Sequence, residues 1–271
     1  MSPNPGKPTF RFRAVFISDV HLGFRGCSAD YLLDFLRSME TQTLYLVGDI
    51  VDLWSLKKSF FWPQSHSDVL RAIFDKARHG TRVIYIPGNH DSVFREYDGH
   101  VFGNVEIRRE AIHETADARR FVVLHGDEFD SVIKASPLIE ALGEHVYSFV
   151  LVLNRCVNFL RRRCGFPYWS VAAYLKQKSR KALAYIANFE HALADDARRR
   201  GVDGMICGHI HRAGIRHIGD VVYCNDGDWV ESCTTLTEDF NGRLSLLHWT
   251  ERKEVVSHCA LAAGVAVERA A

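Results

Sequence analysis

Five apolar runs in this chain each stop on the same kind of polar ending: Asp19-Val20-His21, Gly48-Asp49, Gly88-Asn89-His90-Asp91, His125-Gly126-Asp127 and Gly208-His209-Ile210-His211. Short apolar runs bounded by glycine and polar residues read as buried strands. The runs before the five endings, residues 10–18, 43–47, 82–86, 121–124 and 204–207, are therefore expected strands. Residues 29–39, with Tyr31, Leu32, Phe35 and Leu36 on one stripe, and residues 69–77 are expected helices. Three more strands are expected at 214–218, 221–224 and 243–249. Strands alternating with helices, each strand closing on a polar loop, predict an α/β sandwich. Open α/β sheets bind ligands in the crevice at their strand ends, so the five endings are candidates for one site.

The residue types in those endings point to metal. In extended chain, residues i and i+2 project to one side, so Asp19 with His21 and His209 with His211 are each expected to present two ligands together. Gly48, Gly88, Gly126 and Gly208 would let the backbone turn and leave room for ions. Nitrogen and oxygen donors without thiolate suit Mn, Fe, Zn or Co better than Ca or copper(I). The candidate ligands are Asp19, His21, Asp49, Asn89, His125, His209 and His211, more than one four-coordinate ion takes. Two ions about 3.5–4 Å apart would clamp an in-line displacement at phosphorus. Asp49 is the expected bridge.

The middle of the chain differs in charge. The overall balance is only +1, which argues against a surface that is basic all over and so against a nucleic-acid partner. Yet residues 145–189 contain no Asp or Glu and eight Lys or Arg. From Ser170 onward Val171, Tyr174, Leu175, Ala182, Tyr185, Ile186, Phe189 and Leu193 form one helical stripe, giving an expected helical insertion at 134–200. Lys178 falls inside that stripe, and Lys178 and Lys181 are the candidates for contacting an anionic substrate. Arg161-Arg162-Arg163, flanked by Phe159, Leu160, Phe166, Tyr168 and Trp169, has the mixture of an interfacial anchor. The seven cysteines form no CxxC pair, and residues 1–9 hold no apolar run of signal-peptide type. A cytoplasmic setting with reduced thiols is therefore expected, with peripheral contact at the anionic inner face of the membrane. Residues 1–9 and 253–271 are expected to be loose ends around one domain spanning 10–250.

The order D-x-H, GD-x-x-D, GNHD, HG and GHIH resembles the calcineurin-like metallophosphoesterase superfamily. The resemblance implies a four-layer α-β-β-α sandwich, here with a helical cap insertion. It implies one divalent ion on Asp19, His21, Asp49 and His211, and a second on Asp49, Asn89, His125 and His209. It makes His90 the catalytic histidine, oriented by Asp91, with Asp52 and Asp127 as supporting groups or turn caps. Two such ions, Mn2+ first among Mn, Fe, Zn and Co, would activate a water for attack at phosphorus.

Ser18-Asp19-Val20-His21-Leu22-Gly23, Gly48-Asp49-Ile50-Val51-Asp52-Leu53-Trp54 and His125-Gly126-Asp127-Glu128-Phe129-Asp130 are similar to one branch, the UDP-2,3-diacylglucosamine diphosphatases of lipid A biosynthesis. In that branch the insertion caps the site and holds acyl chains. The implied reaction splits an amphiphilic nucleotide-diphosphate lipid into UMP and the lipid monophosphate. The best-known members carry GNRD where this chain has GNHD at His90, which leaves a variant diphosphatase and a paralogue with another substrate both open. Other nucleotides, cyclic nucleotides or phosphoproteins are the alternative substrates. A membrane-surface binding protein with a structural metal is the alternative of another kind.

Overall fold

The computed structural model describes residues 10–131, 157–158, 160–161, 163–164, 166, 180–250 and 253–258. Its frame is two sheets face to face. The larger has eight strands in the order β13-β12-β11-β1-β2-β3-β5-β4, and the smaller has five in the order β6-β7-β8-β10-β9. In the larger sheet β1 (Phe10–Ile17), β2 (Met39–Val47), β3 (Arg82–Ile86) and β5 (Val105–Ile107) run parallel. The short β4 (Val101–Phe102) closes one edge. At the other edge β11 (Thr234–Glu238), β12 (Leu244–Trp249) and β13 (Lys253–His258) add antiparallel. In the smaller sheet β7 (Arg120–Val123), β8 (Gly204–Cys207) and β10 (Val221–Asn225) are parallel, flanked by β6 (Ala111–Glu114) and β9 (Gly214–Ile218).

The side-chain alternation of a strand explains how this stack holds. Val15 and Ile17 of β1, Leu44 and Leu46 of β2 and Val83 of β3 face one core, shared with Leu32, Phe35 and Leu36 of α1 (Ala29–Ser38) and Val69 and Ile73 of α3 (Gln64–Arg78). Ala14, Phe16, Tyr45, Val47, Ile84 and Ile86 face the other way, onto Phe121, Val123 and Ile206 of the smaller sheet. Strands buried on both faces need apolar residues at every position, which is why these runs are continuous. The far face of the smaller sheet, with Val122, Met205 and Tyr223, is covered by Phe189, Leu193, Ala194 and Ala197 of α4 (Arg180–Arg200). The layers are therefore helix, sheet, sheet, helix, as the resemblance implied.

Several boundaries differ from expectation, each for a physical reason. β2 begins at Met39, directly after α1, because its polar first half lies along β1 before the buried run starts. β11 was not expected, since Thr234-Thr235-Leu236-Thr237-Glu238 lacks an apolar run. It is nonetheless buried throughout, with Thr235 Oγ1 donating to Phe16 O at 2.7 Å. Lys253–His258, expected loose, pairs antiparallel with β12. The stripe Tyr185, Ile186, Phe189 and Leu193, read as part of an insertion ending at 200, belongs to α4 and lies on the sheet, so residues 180–200 are a layer of the sandwich. Of the expected insertion, residues 146–156 of the apolar run, Lys178, and Phe159, Arg162, Tyr168 and Trp169 of the aromatic-basic cluster lie outside the described residues. Among the described residues no helix is long and apolar enough to cross a membrane.

Candidate metal centre

Loops following β1, β2, β3, β7 and β8 meet at one edge of the sandwich, where the two sheets face each other. The first two are tied backbone to backbone, with Asp19 N donating to Gly48 O at 3.0 Å and His21 N to Asp49 O at 2.9 Å. Asp19, His21, Asp49, His209 and His211 all have positive φ, between 49° and 69°. The pairs at i and i+2 thus do not lie in extended chain as expected; each is bent through the left-handed region. That conformation costs a non-glycine residue on the order of 1 kcal/mol or more, and such outliers gather at functional sites.

The bends bring nitrogen and oxygen donors together. Asp49 Oδ2 lies 3.4 Å from His125 Nε2, 3.8 Å from His21 Nε2 and 3.9 Å from His90 Nε2. Asp19 Oδ1 lies 3.0 Å from His211 Nε2 and 3.9 Å from His21 Nε2, and Asn89 Oδ1 is 3.3 Å from His125 Nε2. Three overlapping groups have the closeness of a coordination sphere: Asp19, His21 and His211; His21, Asp49 and His90; and Asp19, Asp49 and His125. His209 joins none of them. Its Nε2 is 2.8 Å from Asp130 Oδ2, while its backbone N–H donates to Asp19 Oδ2 at 2.8 Å.

These residues fit divalent metal. Asp19 Oδ1 and His21 Nε2 are buried without a hydrogen bond, a state that costs free energy and that a cation between them would relieve. A ligating histidine is normally anchored through its other ring nitrogen. Here His125 Nδ1 donates to Val47 O at 2.8 Å, and His21 Nδ1 is 3.3 Å from Asp52 Oδ2, so both present Nε2 inward. Burial pushes the Asp19 and Asp49 carboxyls up, but the neighbouring imidazoles outweigh it and hold both far below the usual range. Burial pushes His21 down, but its bond to Asp52 and the charges of Asp49 and Asp19 raise it to about 9. The protonated form of His21 is thus favoured beside these carboxylates, positive charge at the place a cation would take.

His90 stands at the mouth, its side chain 23% exposed. The expected orienting role of Asp91 is corrected by the geometry. His90 Nδ1 is held by Asp52 Oδ1 at 3.0 Å, and Asp52 also caps α2 (Leu53–Lys58) by accepting from Ser55 N. Asp91 turns inward instead, accepting backbone N–H groups from Gly88 at 2.6 Å and Ile50 at 2.8 Å. It fixes the loop that carries Asp49. Asp127, expected as a supporting group, pairs with Arg95 at 2.6 Å.

Ser18 and Asp226 escaped the sequence reading. Ser18 Oγ is 2.5 Å from Asp19 Oδ2 and 2.6 Å from Asp226 Oδ1. Burial pushes the Asp226 carboxyl well above its ordinary range, and the hydrogen bond from Ser18 works against that shift. The sequence signal was weak, because Asn225-Asp226-Gly227 reads as a turn.

The glycines serve in two ways. Gly48 and Gly126 have φ of 84° and 113° and serve the turns, and at Gly48 an added Cβ would also overlap the His125 ring. At Gly88 and Gly208 the room is taken by the ligands: an added Cβ would overlap Asp49 Oδ1 at Gly88, and Ser18 Oγ and Asp19 Oδ2 at Gly208. Gly208→Ala is therefore expected to displace Asp19 and cost about 1–3 kcal/mol through overpacking. Thermal melts and metal titrations of the same sample should show a lowered Tm and weakened binding; unaltered metal affinity would contradict this account.

The cleft above the cluster has a volume of about 360 Å³, with His21, Asp49, Asn89 and His90 on its polar side and Phe24 and Trp54 among its apolar lining. A family model described as calcineurin-like phosphoesterase matches residues 12–213. The chain belongs to the calcineurin-like phosphoesterase family. The curated DNA polymerase II small subunit of Methanothermobacter thermautotrophicus is 27% identical over 165 residues, covering 48% of this chain and 34% of that protein. The chain thus spans about a third of the length of the curated relative it matches. Among solved structures, the phosphoesterase Yfce of E. coli is 14% identical with a TM-score of 0.48, covering 91% of this chain and 98% of that one. Vacuolar Protein Sorting 29 of Cryptosporidium parvum is 11% identical with a TM-score of 0.46, covering 92% and 97%. Of the expected anion contacts, Lys178 lies outside the described residues, and of Lys181 only the backbone, within α4, is described.

Proposed function

We propose that this phosphoesterase hydrolyses the diphosphate of a UDP-2,3-diacylglucosamine-type lipid, releasing UMP and the lipid monophosphate. The observation that carries the chemistry is the crowding of Asp19, His21, Asp49, His125 and His211 into overlapping donor groups, with Asp49 offering a carboxylate, the kind of group that can bridge two ions, to two of them. Asp19, His21, Asp49 and His211 would hold one ion and Asp49, Asn89, His125 and His209 the other, with Mn2+ the first choice. When bound, such ions neutralise phosphoryl charge and activate water. Water adds to the α-phosphorus, the bond to the bridging oxygen breaks, and the lipid phosphate leaves. His90, with Nδ1 on Asp52 and its ring at the mouth, is placed to give a proton to that oxygen or to stabilise its charge.

The acid-free, basic and apolar stretch at 145–189, including Lys178 and Lys181, supports a substrate with an anionic head and acyl tails. It also supports peripheral contact with an anionic inner-membrane surface, without a nucleic-acid partner. One observation favours a second reading, a nucleotide, cyclic nucleotide or phosphoprotein substrate: His90, where the best-known lipid A enzymes carry arginine, keeps the general form of the superfamily. A turnover panel with Mn2+-loaded enzyme separates the two. The lipid diphosphate is expected to be cleaved with the highest kcat/KM, giving UMP. Cleavage of simple phosphodiesters with the lipid untouched would remove the lipid reading and leave the hydrolase.

A further inference from the structure

We infer that Trp54 is a positioning residue for His90, closing a clamp that Asp52 begins. Trp54 lies two residues after Asp52, in the first turn of α2. Its ring centroid is 4.2 Å from that of His90, with the planes 33° apart, a tilted stack. On another side the His21 ring meets His90 at 4.6 Å, nearly perpendicular. A partly exposed imidazole tied through one nitrogen still swings about that hydrogen bond. A face contact removes the swing, and aromatic pairs at this spacing contribute about 0.5–1.5 kcal/mol beyond area burial. One segment, Asp52-Leu53-Trp54, thus fixes both the direction of Nδ1 and the plane of the ring. Trp54 is itself 46% exposed and lines the catalytic cleft, so its placement is not explained by core packing.

The inference rests on the hydrolase reading of the cleft, not on which phosphoester it takes. Its test uses Trp54→Ala, Trp54→Phe and His90→Ala with a series of aryl phosphodiesters of graded leaving-group pKa. Trp54→Ala is expected to lower kcat about 10- to 100-fold, the scale of a small misplacement of a reacting group, with KM nearly constant. The loss should deepen for poorer leaving groups, and Trp54→Phe should recover most of it. In the His90→Ala background Trp54→Ala should cost nothing further, because both changes remove one function. A loss that persists in that background, or that appears in KM, would show Trp54 acting on substrate and overturn the clamp.

A second readout needs no turnover. In the metal-free protein, the Nδ1 proton that His90 shares with Asp52 is expected as a slowly exchanging low-field NMR signal, assigned by its absence in His90→Ala. It should vanish in Trp54→Ala and persist in Trp54→Phe. Its persistence in Trp54→Ala overturns the proposal. If neither an aryl diester nor the lipid diphosphate turns over, the hydrolase reading has failed and this signal alone decides the clamp.

Discussion

Asp49→Asn is expected to abolish turnover almost completely, lowering kcat on the order of 10³-fold or more, because one carboxylate serves both halves of the donor cluster. The substitution keeps the shape and one carbonyl oxygen but removes the charge. Asp49 Oδ2 faces His125 at 3.4 Å and His21 at 3.8 Å, while Oδ1 accepts the His90 backbone N–H at 2.8 Å. Metal analysis of the purified variant should fall from two ions per chain to one or fewer. The metal-free variant should also melt at a lower temperature, since His125 loses its nearest counter-charge, and His21 one of its carboxylate neighbours, in a buried place. Circular dichroism checks that the sandwich persists. Full metal content with near-normal turnover would exclude Asp49 as the shared ligand.

His90→Ala should behave differently, and the contrast is informative. Its ring stands at the mouth, with Nδ1 on Asp52. Both metals should remain bound while kcat falls roughly 10²–10⁴-fold, the range for removing a general acid or a transition-state donor. The loss should be smallest for substrates whose leaving group needs no proton. Unchanged kcat would remove His90 from the chemistry; lost metal would make it a ligand instead, as its 3.9 Å approach to Asp49 allows.

Sequence reading reached the parts of this molecule where burial forces a repeated choice. β1, β2 and β3 were legible because Phe16, Tyr45 and Ile84 look one way while Val15, Leu44 and Val83 look the other, leaving no charged position in the runs 14–17, 44–47 and 83–86. β11 was not, because Thr235 and Thr237 hide their hydroxyls on Phe16 O and Ser245 O. The ligand candidates were legible as glycine, histidine and carboxylate at strand ends, although His209 turns its Nε2 to Asp130. What sequence did not carry was direction. Asp91 adjoins His90 in the chain yet points into the Asp49 loop, and Asp52 reaches His90 from 38 positions away. Ser18 and Asp226 meet across 208 positions, a separation no local pattern spans.

Asp130 takes a hydrogen bond from Tyr185 of α4 on one oxygen and meets His209 of the ligand loop on the other, at 2.5 and 2.8 Å. Asp130 lies at the end of the described run 10–131 and Tyr185 in the first turns of α4, so this carboxylate ties two stretches of chain that are far apart in sequence. Such a tie couples the helix layer of the smaller sheet to the ligand loop, so a shift of α4 along the sheet would be felt at His209 before it reached any other candidate ligand.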